Sequence, residues 1–348
     1  EANQKAVQKY AELACGIPCD FEEKTAYVYS IDNRKKLEKE AEAYRLLGLD
    51  DEITAPAELP FSTAGAVRMR HQAQFHPLKF AAGIARGLNI CEHTFVTQLL
   101  PGKALTSQGS IAYQKVIFAT HYPIDNKHGC YFIKLYQHRS YVTAWERAAH
   151  MDGMYVDEDK KGMSFRSFDN LLLVGGGGHR TGKCGGNWKE LRSFVQEHYP
   201  NAVERYYWAA QDCMPLDEAP YIGVYSPAMP DCYVATGFRK WGMTSAMVSA
   251  MLLADMIQGI ENPYAEVFRP ARNIFTRQLL CNSAETVCNM LVPTVPRCPH
   301  LGCRLKWNQE EHSWDCPCHG SRFTEDGKLL DNPANGDAKH HHKKGIHE

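Results

Sequence analysis

Residues 298–323, CPHLGCRLKWNQEEHSWDCPCHGSRF, decide how the rest of the chain is read. They contain Cys298-x-His300 and Cys316-x-x-His319, with Cys303 and Cys318 inside the two boxes. Two thiolates and two imidazoles offered by two loops can hold a metal. One option is a tetrahedral Zn²⁺ site of the Cys₂His₂ type. The other is a [2Fe–2S] cluster with two Cys on one iron and two His on the other. Zinc fingers usually pair Cys with Cys and His with His. Here each box offers one of each, so each loop could give one ligand to each iron, and the spacing favours the cluster. Pro299, Gly302, Pro317 and Gly320 suit tight, rigid loops.

Both boxes resemble the Rieske boxes, C-x-H-L-G-C and C-P-C-H-G-S. The stretch from Gly327 to Pro333-Ala334 resembles the proline-containing third loop beside such a cluster. The resemblance implies that Cys298 and Cys316 ligate one iron and His300 and His319 the other. It implies a disulfide between Cys303 and Cys318, a bond unusual in a reducing cytosol. It also implies a hydrogen bond from the Ser321 hydroxyl to a cluster sulfur. Where high-potential Rieske proteins carry a tyrosine, this chain has Phe323. Donors to cluster sulfurs raise the potential, so a value below that of the respiratory type is expected.

The 348 residues are enough for two domains. A net charge of −1 and a pI near 7.0 offer no argument for a nucleic-acid or anionic-membrane partner. No apolar run approaches the ~20 residues of a membrane span, and no signal peptide opens the chain. Of thirteen cysteines, four fall in the boxes and the other nine lack paired spacing. That pattern suits a reducing compartment, and a cytoplasmic location is expected. Glu1 opens in helix-like text with no initiator Met, so residues are expected ahead of it.

Ala2, Ala6, Tyr10 and Leu13 recur at helical spacing, and Tyr27 to Ser30 is a strand candidate. Asp32 or Asn33 caps a predicted helix to about Leu47, stopped by Gly48. His76-Pro77 starts a helix to about Arg86, with Pro in the first turn. Strands are predicted at 89–97 and 114–119, followed by Thr120-His121-Tyr122-Pro123, as in part of a nucleotide-binding α/β domain. Alternation between Asp125 and Arg147 predicts antiparallel strands.

A strand at 171–174 runs into Gly175-Gly176-Gly177-Gly178-His179-Arg180-Thr181-Gly182. Four glycines let a backbone approach something flat or charged, though a plain loop fits too. Asn187 with Glu190 resembles a capping box opening a helix to about His198. A strand at 232–235 then leads through Thr236 to Thr244 into an apolar helix, 245–257, stopped by Gly259. A helix N-terminus behind a glycine loop attracts an anion: reduced flavin, phosphate, or nothing beyond packing.

Gln74-Phe75-His76-Pro77-Leu78, Ala119 to Pro123, Gly175 to Gly182 and Ala235 to Thr244 resemble the D-amino-acid-oxidase-like (glycine-oxidase-like) FAD-dependent oxidoreductases. More narrowly, they resemble the bacterial subgroup with a C-terminal Rieske domain. The resemblance implies a two-subdomain α/β (α+β) fold with a mixed or antiparallel substrate sheet, followed by a small all-β Rieske domain. It implies FAD contacts at Val96, Thr120, Gly176, Gly177 and His179, and at Gly237, Phe238, Lys240, Trp241, Gly242, Met243 and Thr244. The implied FAD-dependent domain is 1–285, with FAD-binding parts at about 74–121, 171–182 and 231–260 and substrate parts at about 1–73 and 122–230. The Rieske domain is 286–336 and the tail 337–348.

Two departures from the family pattern stand out. The chain has no G-x-G-x-x-G turn for the FAD pyrophosphate, and few residues separate a helix near 272–286 from the first box. Segments of a longer protein are therefore expected to be absent from both places. The expected activity is oxidation of a small amine or amino-acid-like substrate, with electrons passing between FAD and the [2Fe–2S] cluster and an unknown donor or acceptor beyond. His71, His179 and Lys240 are candidate bases by residue type alone, so the catalytic base is unassigned. The competing reading is a flavin-free Rieske electron-transfer protein on a degenerate scaffold. The tail, Lys339-His340-His341-His342-Lys343, is expected to be a solvated end.

Overall fold

The computed structural model describes residues 1–159, 162–293 and 296–339; the tail histidines lie outside them. In chain order the elements are α1 (Ala2–Ala14), β1 (Glu22–Ser30), α2 (Arg34–Leu46), β2 (Ile53–Thr54), β3 (Gly65–Gln74), α3 (Pro77–Ile84), β4 (Val96–Leu100), β5 (Lys103–Thr106), β6 (Gly109–Ala112) and β7 (Val116–Phe118). After them come α4 (Tyr131–Lys134), β8 (Leu135–Glu146), β9 (Met154–Asp157), β10 (Ser164–Phe168), β11 (Leu171–Arg180), α5 (Trp188–His198), β12 (Val203–Pro215), β13 (Tyr221–Ser226) and β14 (Met229–Thr236). The last are α6 (Gly242–Gln258), α7 (Ala265–Phe268), α8 (Arg277–Leu291), β15 (Lys306–Asn308), β16 (Ser313–Asp315), β17 (Arg322–Phe323) and β18 (Leu329–Asp331).

The predicted caps at Asn33 and Asn187 form, and His76, read only as part of a helix start, caps its helix too. Asn33 accepts from the Lys36 N–H, His76 Nδ1 from the Lys79 N–H, and Asn187 from the Lys189 N–H. Gly259 ends α6 in the left-handed region at φ 73°, where a Cβ would be strained.

A mixed eight-stranded sheet runs β12-β8-β11-β10-β9-β1-β3-β2. Its core packs under α5, with Tyr141, Phe165, Leu172 and Val174 against Trp188, Leu191 and Val195. A three-stranded sheet, β13-β14-β7, carries α1 and α6 on a second core of Ala6, Tyr10, Ile222 and Val248. Residues 1–14 pack with α6 because Ala6 and Tyr10 are the apolar face that helix needs. The 171–180 stretch hydrogen-bonds into the large sheet between β8 and β10.

Two local expectations change. Tyr131 and Ile133 lie in a short helix rather than a strand, because Gly129 and Cys130 turn the chain with φ 73° and 57°. The glycine run is not a free loop either. Gly175 and Gly176 pair with Val142 and Tyr141, and a register shift follows before His179. The strand predicted at 89–97 forms later, at Val96–Leu100, in a separate three-stranded meander with β5 and β6.

Residues 297–338 form a small all-β unit, β15-β16-β17-β18, closed at its entry by a bridge between Arg297 and Arg304. Its core is Cys298, Cys303, Leu305, Cys316, Cys318, Phe323 and Ala334.

Candidate functional site

The two boxes are hairpin loops of similar build. Gly302 N–H bonds the Cys298 carbonyl and Gly320 N–H the Cys316 carbonyl, each at 2.9 Å, with Gly302 and Gly320 at φ 75° and 87°. The turns bring His300 and His319 together, ring centroids 4.9 Å apart and planes at 86°. Cys303 and Cys318 form the disulfide that joins the loops. The sulfurs of Cys303, Cys316 and Cys318 lie within 4.8 Å of one another.

Several buried groups here lack partners among the described residues. His300 Nδ1 and both ring nitrogens of His319 have none. Burial pushes His300 down to about 4, and burial with the His300 ring pushes His319 down to about 3. Both are therefore neutral imidazoles, the form that binds a metal. Cys298 and Cys316 touch and compete for one proton. Contact with Cys316 brings Cys298 down to about 7, helped by the Ser321 hydroxyl and the His300 and Leu301 N–H groups. Contact with Cys298 and burial push Cys316 well above its usual range. Two close thiols, two neutral imidazoles and orphaned ring nitrogens in one dry pocket are the donor set a [2Fe–2S] cluster needs. Phe323 is fully buried and offers no hydroxyl.

The pocket is closed by the large sheet and its loops, not by solvent. His300 Nε2 donates to Asn126 Oδ1 at 2.8 Å. Asn332 Nδ2 donates to the Thr120 and Tyr122 carbonyls at 3.2 and 3.3 Å, and Asn335 Nδ2 to the Ile124 carbonyl at 3.2 Å. Gln211 Nε2 donates to the Gly320 carbonyl at 3.0 Å, and Arg180 donates to the Pro317 and Cys318 carbonyls. Asn126, Arg180 and Gln211 carry no sequence signal of this role, whereas Asn332 lies in the Gly327 to Pro333-Ala334 stretch that resembles the third cluster loop.

A second site opens where β7 and β14 run parallel, Val116 beside Cys232 and Phe118 beside Val234. Parallel strands of an α/β sheet place ligands at their carboxyl ends. Those ends lead into Thr120-His121 and Thr236-Gly237, held together by the Thr236 hydroxyl donating to the His121 carbonyl at 2.5 Å. Gly237 turns at φ 73°, and α6 begins with no side chain capping its N-terminus. Trp241 and Met243 are exposed there. Free N–H groups at an uncapped helix start suit the anionic end of a flavin.

Lys240 reaches across to the glycine strand: a Cβ on Gly178 would come within 2.9 Å of Lys240 Nζ and 3.1 Å of His138 Cε1. Lys240 shares this face with Asp212. Burial pushes Asp212 up to about 6 and Lys240 down, while burial with Lys240 pushes His138 down to about 4. His138 Nδ1 and Ser140 Oγ lack partners among the described residues. Sequence reasoning missed His138 and Asp212, since isolated polar residues in strands carry no periodic signal.

The remaining expected residues lie elsewhere. A Cβ on Gly176 would meet Leu191 at 3.0 Å, and one on Gly177 would meet Tyr141 and the Asn187 N–H, so both serve the packing of α5. His179 stacks on Tyr141 at 5.8 Å and its Nδ1 contacts the Gly177 carbonyl. Val96 starts β4 in the separate meander. His71 is exposed and paired with Glu23 at 2.7 Å, on a strand remote in the sheet from β8.

Comparison with known proteins agrees with both centres. The FAD dependent oxidoreductase family matches residues 1–256 and the Rieske [2Fe-2S] domain matches residues 277–342. YhfW of Bacillus subtilis, described as a Rieske 2Fe-2S iron-sulfur protein, is 31% identical over 399 residues, covering 96% of this chain and 78% of that protein. The aligned region is longer than this chain, so that protein has segments without counterparts here. Cytochrome b6-f complex iron-sulfur subunit 2 of Synechocystis is 42% identical over 50 residues, 14% of this chain and 27% of its own. Among solved structures, glycine oxidase from Geobacillus kaustophilus superposes with TM-score 0.66 at 17% identity, over 78% of this chain and 82% of that one. L-Proline dehydrogenase from P. horikoshii gives TM-score 0.67 at 17% identity with the same coverage. No described helix is long and apolar enough to cross a membrane. The chain belongs to the FAD dependent oxidoreductases and carries a C-terminal Rieske [2Fe–2S] domain.

Proposed function

We propose that this oxidoreductase takes electrons from a small amine or amino-acid-like substrate and exchanges them between FAD and the Rieske cluster within one chain. Bound FAD would accept a hydride, and the cluster would carry electrons singly. Cys298 and Cys316 would hold one iron, and His300 and His319 the other. His300 would use Nδ1, because its Nε2 is engaged by Asn126. The uncapped start of α6 and the Gly237 turn would hold the pyrimidine end of the flavin, with Thr120 at the neighbouring strand end. Lys240, His138 and Asp212 would face the substrate side and set its charge.

One observation carries this reading. The segment from Thr120 to Asn126 begins beside the Thr236-Gly237 turn and ends on His300, the proposed ligand. Six residues span at most ~20 Å even when fully extended. The third cluster loop also bonds the Thr120 carbonyl itself. The two centres are thus fastened to one short piece of backbone. With Phe323 offering no donor to the cluster, a potential below the respiratory type is the accompanying expectation.

The test is an anaerobic titration of the purified protein with a panel of amines and amino acids, followed by flavin absorbance and low-temperature EPR. The reading predicts flavin bleaching and a Rieske EPR signal from the same substrate. Bleaching without a cluster signal would remove the internal transfer. No bleaching with any amine or amino acid would remove the substrate class.

A further inference from the structure

Arg180 ends the glycine strand, and its guanidinium is spent entirely on neutral acceptors. Nε donates to the Pro317 carbonyl at 3.1 Å, Nη2 to the Cys318 carbonyl at 2.9 Å and Nη1 to Asn282 Oδ1 at 2.9 Å. The Tyr136 ring lies 4.8 Å from Cζ. Among the described residues no carboxylate is within ion-pair distance of it. Glu285 supplies the strongest opposing field, but its carboxylate is paired with Lys183, so the half-buried cation is only partly offset.

The backbone shows where the remaining counter-charge would be. A trans peptide points its C=O and N–H in opposite directions. The two carbonyls that face Arg180 belong to the 317–318 and 318–319 peptides, so their N–H groups, on Cys318 and His319, face the other way. Both N–H groups favour the thiolate of Cys316. Arg180 therefore acts on that sulfur twice, through its charge and by aligning two peptide dipoles. The contact is tight by design of the strand end. A Cβ on Gly182, at φ 71°, would come within 2.6 Å of the Pro317 nitrogen, so only glycine lets β11 deliver Arg180 to this loop.

We infer that Arg180 is a positioning residue that raises the reduction potential of the Rieske cluster, supplying the counter-charge for its reduced state. The inference rests on the ligand reading above. A cluster held by two thiolates and two neutral imidazoles has no net charge when oxidised and gains one negative charge when one electron enters, with no bond made or broken. A fixed cation in a dry pocket stabilises only the charged state. The N–H donors aimed at Cys316 act in the same direction.

The experiment is a dithionite-poised redox titration of the full-length holoprotein, read by the EPR signal of the reduced cluster. Wild type must first show iron, sulfide and a Rieske signal; their absence would sink the ligand reading rather than the role of Arg180. With that signal present, Arg180→Gln lowers the reduced-to-oxidised ratio at a fixed potential at least tenfold, a midpoint shift of about −59 mV for one electron. Arg180→Lys, which keeps the charge and loses the fork, retains more than half of the wild-type potential advantage. An Arg180→Gln midpoint equal to wild type overturns the inference. If Arg180→Gln does not assemble its cluster, Arg180→Lys decides: it loses the fork to the Pro317 and Cys318 carbonyls, so its midpoint lies below wild type, and a midpoint equal to or above wild type overturns the inference.

Discussion

His300 Nε2 donates to Asn126 Oδ1 at 2.8 Å, joining residues 174 positions apart. Asn126 is itself almost fully buried, at 4% exposure. The bond leaves Nδ1 as the unengaged ring nitrogen of His300, and it docks the first box on the oxidoreductase domain. Asn126→Leu leaves a buried N–H without an acceptor. Loss of about 1–3 kcal/mol is expected. Urea unfolding of the holoprotein measures it, with a lower retention of iron during the melt.

Glu311 sits between two cations. It pairs with Arg139 of β8 and, at 2.8 Å, with Arg322 of β17. The side chains are 8%, 4% and 9% exposed, so solvent screens them little. Glu311→Gln removes the carboxylate shared by Arg139 and Arg322, while Arg322 keeps Asp315 at 3.1 Å and Asp331 at 3.2 Å. A cost of about 1–3 kcal/mol follows, larger than for any exposed pair of this protein. The check is equilibrium denaturation beside Glu12→Gln, which removes an exposed Lys9 pair.

The Cys303–Cys318 disulfide closes a loop of 15 residues. In the chain-entropy account such a loop is worth about 3 kcal/mol. A Cys303→Ser, Cys318→Ser protein should keep Cys298, His300, Cys316 and His319 but hold its cluster less firmly. Faster iron loss to a chelator on mild warming is the expected result; unchanged loss would mean that docking alone holds the loops.

Asp212 and His138 give stability opposite pH slopes. Burial raises Asp212 to about 6, so its contribution is complete below the ordinary value of 3.8 and is lost as pH rises through about 6. Burial and Lys240 lower His138 to about 4, so stability falls as pH drops from 6.5 through that value. Asp212→Asn should therefore stabilise the protein at pH 7 and much less near pH 4. His138→Gln should flatten the acid side. Thermal midpoints of the three proteins across this range check both slopes.

The metal boxes were legible in the sequence because ligand spacing within a tight loop is local chemistry. Cys298, His300, Cys316 and His319 converge with little help from the rest of the chain. Helix caps at Asn33 and Asn187 were legible for the same reason: a cap is decided by residues within one turn. The glycine run was less so. Its composition allows a loop, but the ladder to β8 makes it a strand with a bulge. The turn at Gly129-Cys130 likewise overrides the alternation that predicted strands around Tyr131.

Only the tertiary structure decided what the cluster faces. Asn126, Arg180 and Gln211 come from separate loops and strands, and each bond they make to the cluster unit, like the bonds Asn332 makes out of it, depends on register and docking. The charge of Arg180 is written in the sequence. Its lack of an ion partner, and its aim through two peptides at Cys316, exist only after β11 is seated beside the second box. Local spacing determined which residues can hold the iron. Long-range packing determined the field they hold it in, because a dielectric environment belongs to a folded interior and not to any stretch of chain.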